Sequence, residues 1–284
     1  MTRSSSVRAP RRSARSAKSA AIVGLGHAAV ASTATGACYW LLASDQRLGH
    51  SPVSTLLLQA SGIVALIWAY AGLVLGLAVS IRQPNHRNGA PRRMSWRPAV
   101  VNWHRQLNVA VVALALLHAL TYAVGVPGGT WLVALVPWTA HPEGLGYTLG
   151  VLGLYLAVLL GPSYYLRRYI GRRAWLVAHQ LAAISYALGL WHALFLGSDF
   201  RLTGFARTLL AALQVPLLAL IGLRLLRPLR LSDQLRMKIR AGRFEENRSV
   251  VLRIAVAVGL SITALVVLVM ALLAFGQGEH ATFG

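Results

Sequence analysis

Seven long apolar stretches divide this chain and restrict it to folds that a membrane can hold. The hydrocarbon core of a bilayer requires about 20 apolar residues from a helix that crosses it. Because the core offers no water to an open backbone, such segments must be helical. Apolar residues make up 56% of the 284 residues and charged residues only 12%, which argues against a soluble domain. The predicted spans of this all-α polytopic bundle are about 20–43, 54–80, 101–125, 145–166, 175–197, 203–225 and 250–275.

The spans and the segments between them divide the chain into four parts. Residues 1–19 are basic and rich in Ser and Ala, which predicts a disordered cytoplasmic tail. Residues 20–225 hold six spans, residues 226–249 are a basic cytoplasmic segment, and residues 250–284 add a seventh helix with a short external tail. A basic run before an apolar stretch also resembles a signal peptide. This stretch is longer than a signal h-region, so we predict a retained helix.

Lysine and arginine are distributed unevenly between the two sides of the predicted bundle. With alternating spans, 23 of the 28 basic residues lie on one side and only Arg47 and Arg201 on the other. Basic residues favour cytoplasmic loops. The N-terminus is therefore predicted to be cytoplasmic and the C-terminus external, in a multi-pass protein of a bacterial plasma membrane. The net charge of +21 then reflects topology and contact with anionic lipids, and we expect no nucleic-acid partner.

Two further features of the composition exclude classes of function. The single cysteine, Cys38, rules out an internal disulfide and any cysteine-based zinc or iron–sulfur site. No Asp or Glu lies within any predicted span. Proton pumps and ion-coupled transporters usually place carboxylates inside the membrane, so their absence argues against both classes.

Four histidines within two of the spans form the most informative pattern in the chain. His104 and His118 lie 14 residues apart in the third span. His179 and His192 lie 13 residues apart in the fifth. At about 1.5 Å of rise per residue, each pair extends about 20 Å along its helix. Both spans run outward from the cytoplasm in the predicted topology. His104 therefore matches His179 in depth at the inner side, and His118 matches His192 at the outer side.

The rotation of these histidines about their helix axes is less regular than their depth. At about 100° per residue, a spacing of 14 leaves His104 and His118 about 40° apart on one face. A spacing of 13 leaves His179 and His192 about 140° apart in an ideal helix. The fifth span must therefore twist locally, or the groups that its two histidines bind must approach the helix from different directions. Gly189, just before His192, is the predicted position of such a distortion.

Paired imidazoles at two depths are the ligand set that two haems, one above the other in a bilayer, require. Imidazole nitrogen suits iron, and axial ligands are a main control of haem potential. Ionisable groups within spans are costly and usually functional. The alternative is that each histidine only hydrogen-bonds a neighbouring helix. The depth matching favours haem ligation, with non-covalent binding because no C-x-x-C-H motif is present. The predicted iron ligands are His104, His179, His118 and His192.

The residues around the four histidines form a wider pattern. In the third span they are Trp103-His104-Arg105-Gln106-Leu107 and Leu117-His118-Ala119-Leu120-Thr121-Tyr122, and in the fifth Trp175, Ala178-His179-Gln180-Leu181 and Trp191-His192-Ala193-Leu194, then Gly197 and Asp199. With the spacings of 14 and 13, this pattern resembles the transmembrane domain of the ferric reductase and NADPH oxidase family. The resemblance covers about residues 54–225.

The resemblance implies cofactors and partners. In that family the first histidines of the two helices ligate an inner haem b and the second histidines an outer one, within a six-helix core. Residues 20–225 would then be a ferric-reductase-like haem-binding domain, and the seventh helix is an addition to it. Many members continue into cytoplasmic flavin and nicotinamide domains. Here there is no G-x-G-x-x-G after a strand and no P-loop. The chain is therefore more similar to stand-alone bacterial members that pair with separate redox partners.

Three other residues lie at informative positions. Arg105 directly follows His104, and it either pairs with a haem propionate or extends to the cytoplasmic surface. Tyr186 lies between the two histidine levels, where core filling is favoured over a role in electron tunnelling. His27 stands alone in the first span. A hydrogen bond to a neighbouring helix is favoured there over a role as an alternative ligand or in a quinone site.

These observations predict an oxidoreductase component that moves electrons across the membrane through two haem b groups. Electrons would come from a cytoplasmic flavoprotein, such as a flavin reductase, or from membrane quinol, and would leave to an external acceptor. Flavin or quinone would thus enter through a partner. One alternative is a quinol-oxidising cytochrome b subunit of a respiratory complex. The other is a non-redox membrane scaffold that has kept the fold.

Overall fold

Nine helices make up the described part of the chain, which is known from a computed structural model. The structure describes residues 11–44, 51–81, 97–140, 144–197 and 204–226. The all-helical prediction is confirmed for these residues. The helices are α1 (Arg11–Ser44), α2 (Val53–Ile81), α3 (Arg97–Gly125), α4 (Trp131–Leu135), α5 (Gly144–Leu160), α6 (Ser163–Ile170), α7 (Arg172–Gln180), α8 (Ala182–Leu196) and α9 (Gly204–Leu226).

Three of these elements are long and apolar enough to cross a membrane. They are Val53–Ser80 in α2, Ala99–Gly125 in α3, and Ala174–Leu196, which joins α7 to α8. The α5–α6 pair passes the same test together but bends by 58°. The described part of α9 offers a shorter apolar stretch, Thr208–Arg224. The predicted seventh span, 250–275, lies outside the described residues, as does the predicted basic segment 226–249 apart from Leu226.

The first helix differs from its prediction in where it begins and in its hydropathy. It begins at Arg11, so residues 11–19 are helical where composition predicted a disordered tail. Ala, Arg and Lys are good helix formers, and a helix that starts in the span can extend back through them. Within the described residues, α1 is also not among the helices apolar enough to cross a membrane. Its Ser32, Thr33 and Thr35 lower the hydropathy of the stretch.

Glycine and proline set the breaks between helices. Gly161 and Pro162 separate α5 from α6, because proline lacks the N–H that would continue the helix. Gly171 separates α6 from α7 with φ of 80°, a backbone conformation that other residues adopt only with strain. The predicted fourth span, 145–166, is thus divided by a 58° bend into the apolar helix α5 and the basic helix α6. The Arg167 and Arg168 side chains belong to this second helix.

The most extensive packing is within two pairs of helices. α3 packs most extensively against α2, and α5 against α8. One buried cluster, Ala31, Val64 and Leu114, joins α1, α2 and α3. A second cluster joins α8 to α9 and includes Tyr186, Leu190, Leu217 and Ile221. At the C-terminal end of α2, the carbonyl of Ser80 accepts a hydrogen bond from Arg224 of α9 at 3.4 Å. The C-terminal ends of α2 and α9 therefore lie on the same side of the bundle.

Candidate functional site

The four histidines meet as two pairs. The ring centres of His104 on α3 and His179 on α7 lie 5.7 Å apart, with their planes at 87°. Those of His118 on α3 and His192 on α8 lie 6.0 Å apart, with their planes at 88°. These are the partners that the depth argument predicts. The two pairs occupy two levels along α3, one near each end of the helix.

The separation within each pair suits two ligands of one metal ion. An imidazole nitrogen lies about 2 Å from a bound metal and about 1 Å from its own ring centre, so two imidazoles on opposite sides of one ion have centres about 6 Å apart. The observed distances of 5.7 and 6.0 Å are close to this value. Within the described residues no group of three or more His, Cys, Asp and Glu side chains is arranged to hold a metal. A haem iron, whose other four ligands belong to the porphyrin, needs only two.

The helix of the fifth span is interrupted between its two histidines, in the stretch where their spacing of 13 calls for a local twist. α7 ends at Gln180 and α8 begins at Ala182. At the break the Leu181 N–H donates to the carbonyl of Ala178, three residues back, at 3.0 Å. Such a tightened turn changes the rotation of the following helix relative to the preceding one. The predicted distortion at Gly189 is wrong, because Gly189 lies within the continuous helix α8.

Three of the four histidines use Nδ1 to bind a backbone carbonyl of a neighbouring helix. His104 Nδ1 lies 2.8 Å from the carbonyl of Gly72. His118 Nδ1 lies 2.9 Å from that of Leu58, and His192 Nδ1 lies 2.9 Å from that of Gly146. A carbonyl can only accept, so Nδ1 carries the proton and Nε2 keeps its lone pair. Metal-binding histidines are commonly oriented by this kind of bond, which fixes the tautomer with Nε2 as the ligand atom.

Glycines seat the same three rings. A Cβ atom on Gly76 would lie 3.0 Å from His104, and one on Gly62 would lie 2.9 Å from His118. A Cβ atom on Gly150 would lie 2.6 Å from Nδ1 of His192. A side chain at any of these positions would push the ring away. The glycines therefore let each imidazole lie directly against the neighbouring helix.

His179 is held differently from the other three. Its ring stacks on that of Trp175, one turn earlier on α7, with centres 5.1 Å apart and planes at 17°. On the other side of this inner pair, Asn108 Nδ2 lies 3.4 Å from Nε2 of His104. At this distance the bond is weak. An iron ligated by His104 would take the place of this contact.

Unpartnered donors surround the inner pair. Arg105 lies over the rings of Tyr164 and Tyr165, at 4.9 and 5.8 Å from their centres. One of its terminal nitrogens donates to Asn102 Oδ1 at 2.9 Å, but its buried Nε has no hydrogen-bond partner among the described residues. The same is true of the buried Trp175 Nε1. Buried donors normally have partners, so two orphans beside one histidine pair indicate a missing acceptor such as a carboxylate.

Tyr186 has a partner that the sequence analysis missed. Its side chain is 4% exposed, and its hydroxyl lies 3.2 to 3.3 Å from the amide of Gln214, which is 1% exposed. Gln214 Nε2 also donates to the carbonyl of Leu210 at 3.0 Å. The signal in the sequence that could have identified this partner is Gln214, the amide side chain within the predicted sixth span. The pair satisfies both polar groups within the bundle, which fits the core-filling interpretation of Tyr186.

Comparison with protein-family models, with curated proteins and with solved structures finds no match to this chain. The resemblance to the ferric reductase and NADPH oxidase family therefore rests on the histidine pattern and the residues around it.

Proposed function

We propose that this chain is a di-haem b membrane protein that moves electrons between the two faces of the membrane, in the manner of a ferric reductase. The observation that carries the proposal is the pairing of four histidines at two levels, 5.7 and 6.0 Å between ring centres. Three carbonyl bonds to Nδ1 leave the Nε2 lone pair available to ligate iron, which at His104 would replace the weak 3.4 Å contact with Asn108. These features are what two bis-histidine haem sites require of a protein.

The protein's own residues supply ligation, orientation and a dry environment. His104 and His179 would hold the inner haem, and His118 and His192 the outer one. The carbonyls of Gly72, Leu58 and Gly146 keep three imidazoles in the ligating tautomer. When bound, haem b supplies reversible one-electron chemistry at iron. The apolar side chains around each level exclude water, and burial is one of the means by which a protein sets a haem potential.

Arg105 and Trp175 are suited to bind the carboxylates of the inner haem. Both carry a buried N–H without an acceptor among the described residues. A guanidinium matches a carboxylate in shape and charge. Arg167, 4.1 Å above the ring of Tyr164, adds positive charge to the same end of the bundle. Like Arg105 it lies over Tyr164, so both cations are near the inner pair.

The proposed topology is the one that the basic residues favour. It has seven spans, with the N-terminus in the cytoplasm and the C-terminus outside, in a bacterial plasma membrane. The pairing of Ser80 with Arg224 supports one part of it, because both residues belong to predicted cytoplasmic ends. Electrons would enter at the inner pair from a flavin reductase or quinol and leave from the outer pair to an external acceptor.

The purified protein should carry two non-covalent b-type haems per chain. The reason is the presence of two complete ligand pairs, each near the spacing for one iron. The pyridine haemochrome assay, divided by the amount of chain, measures this ratio. A ratio near one would mean that one pair is not a ligand pair. A colourless protein would contradict the proposal and favour a non-redox scaffold, and co-purification with an iron–sulfur subunit would favour a cytochrome b subunit.

NADPH alone should not reduce these haems in the isolated, flavin-free protein. The sequence lacks a nucleotide-binding fingerprint and would need a partner to accept hydride. Stopped-flow absorbance in the haem region measures the rate, with dithionite as the positive control for reducible haem. Addition of a flavin reductase with free flavin, or of quinol, should restore reduction. Rapid reduction by NADPH without them would show that the chain contains a dehydrogenase site.

A further inference from the structure

A cavity of about 520 Å³ lies between α1 and α3, with Leu57 of α2 also in its wall. Its volume falls in the range of small-molecule sites, about 300 to 1,000 Å³. Along α1 its wall runs from Gly24 to Tyr39, which is about 22 Å at the rise of an α-helix. Val109, in the α3 wall, is 42% exposed. The cavity is therefore long, narrow and open to the surface of the bundle.

The wall of this cavity is apolar except for a few side chains, of which His27 and Gln106 matter most. His27 is 8% exposed and meets Trp103 edge to face, with ring centres 4.4 Å apart. Neither the His27 ring nor the Gln106 amide has a hydrogen-bond partner among the described residues. Thr35, by contrast, donates to the carbonyl of Ala31 at 2.9 Å. Neither residue is among those with a fully buried, unpartnered polar atom, so their polar atoms reach the open cavity, where a ligand with hydrogen-bond acceptors would satisfy them at membrane depth.

The two polar residues also place such a ligand near the inner histidine pair. Gln106 follows His104 by two residues on α3, which is about 3 Å along the axis. Trp103, against which His27 packs, directly precedes His104. A ligand head group at this end of the cavity would thus lie at the level of His104, with the rest of the cavity extending along the helices.

We propose that this cavity binds a quinone or quinol, an inference that rests on the proposed function and names its donor class. The His27 ring donates to one ring oxygen of the ligand and the Gln106 amide donates to the other. The isoprenoid tail lies in the apolar length of the cavity between α1 and α3. Membrane phospholipid is the alternative occupant, because its acyl chains fit the apolar length and its ester carbonyls also accept hydrogen bonds. Quinol is favoured because, of the two, it alone can supply electrons to the inner pair of the proposed function.

The test is photolabelling of the full-length protein, in lipid nanodiscs, with a short-tailed azido-quinone. We expect labelling on α1 and α3 peptides that excess unlabelled quinone suppresses and oleate does not. Gly24→Leu fills the cavity, since Gly24 lines it and a Cβ there meets no atom within 4 Å. This variant should reduce labelling about tenfold or more, as expected for a side chain that occupies the ligand's place.

Gly26→Leu is the matched control, because Gly26 lies on the same helix with equally open space but is exposed and lines no part of the cavity. It should label like the wild type. His27→Phe and Gln106→Leu keep the apolar volume and remove the donors, so they should weaken labelling while haem content is unchanged. Equal labelling of the Gly24→Leu and wild-type proteins, or suppression by oleate as strong as by quinone, would overturn the inference.

Haem content separates this inference from the proposed function. A protein with two haems that fails to bind the azido-quinone would retain the proposed function and lose the quinone site. A protein without haem would lose the proposed function whatever the labelling result.

Discussion

Replacement of His192 by alanine should abolish the outer haem and leave the inner one in place. In the proposed function His192 would supply one of the two histidine ligands at its level, and its partner His118 lies 6.0 Å from it between ring centres. The inner pair is about 20 Å away along the helices. Sites this far apart without shared partners usually respond independently to mutation. The haem-to-chain ratio should therefore fall from about two to about one.

The same reasoning applies to each of the other ligands. His118→Ala should match His192→Ala, whereas His104→Ala or His179→Ala should remove the inner haem. Low-temperature difference spectra and redox titration, which separate the two haems by their bands and potentials, identify which one is lost. A titration with a single remaining step in each variant is the expected result.

His27→Ala is the control for loss of an intramembrane imidazole. His27 is buried on α1 and packs against Trp103, but it belongs to neither pair. This variant should keep both haems. If His27→Ala bleached a haem while His192→Ala did not, the ligand assignment would be wrong.

A single methyl group on Gly150 should weaken the binding of the outer haem. A Cβ atom at Gly150 would lie 2.6 Å from Nδ1 of His192, a distance that real Cβ contacts do not reach. The ring must shift, and its 2.9 Å bond to the carbonyl of Gly146 breaks with it. Ligand orientation depends on such bonds, whose loss typically costs about 10- to 100-fold in metal affinity. Gly150→Ala should therefore lower outer-haem occupancy and leave the inner haem unchanged.

Gly153→Ala is the matched control for this prediction. Gly153 lies on the same helix, but its nearest neighbour to an added Cβ is Leu188 Cβ at 3.4 Å, an ordinary contact. Both substitutions add the same methyl group and the same gain in helix propensity, about 1 kcal/mol. Haem content and the spectrum of the outer haem should distinguish them. Identical spectra for Gly150→Ala and Gly153→Ala would show that the His192 ring is not held as described.

The depth of each histidine could be predicted from the sequence alone. A helix rises by a fixed amount per residue, so spacings of 14 and 13 fix two levels once the direction of each span is known. The predicted directions follow from the number of Lys and Arg residues in each loop, which requires no tertiary information. The helical class follows in the same way, since apolar segments of this length have no other stable backbone in a membrane.

The rotation of the histidines and their hydrogen-bond acceptors were decided only by the tertiary structure. The interruption at Leu181, between His179 and His192, has no glycine or proline signal in the sequence. The glycine that was expected to provide a distortion, Gly189, lies in regular helix. The acceptors of His104, His118 and His192 are 32, 60 and 46 residues away in the chain.

The physical reason is that these contacts depend on how helices approach one another. The distance and crossing angle between two helices are set by the side chains of both at the contact, so neither sequence determines them by itself. Gly62, Gly76 and Gly150 seat imidazoles only because α2 and α5 lie where they do. The orphaned Arg105 Nε is likewise a result of packing: the sequence places an arginine after His104, and the fold alone leaves its buried nitrogen without an acceptor among the described residues.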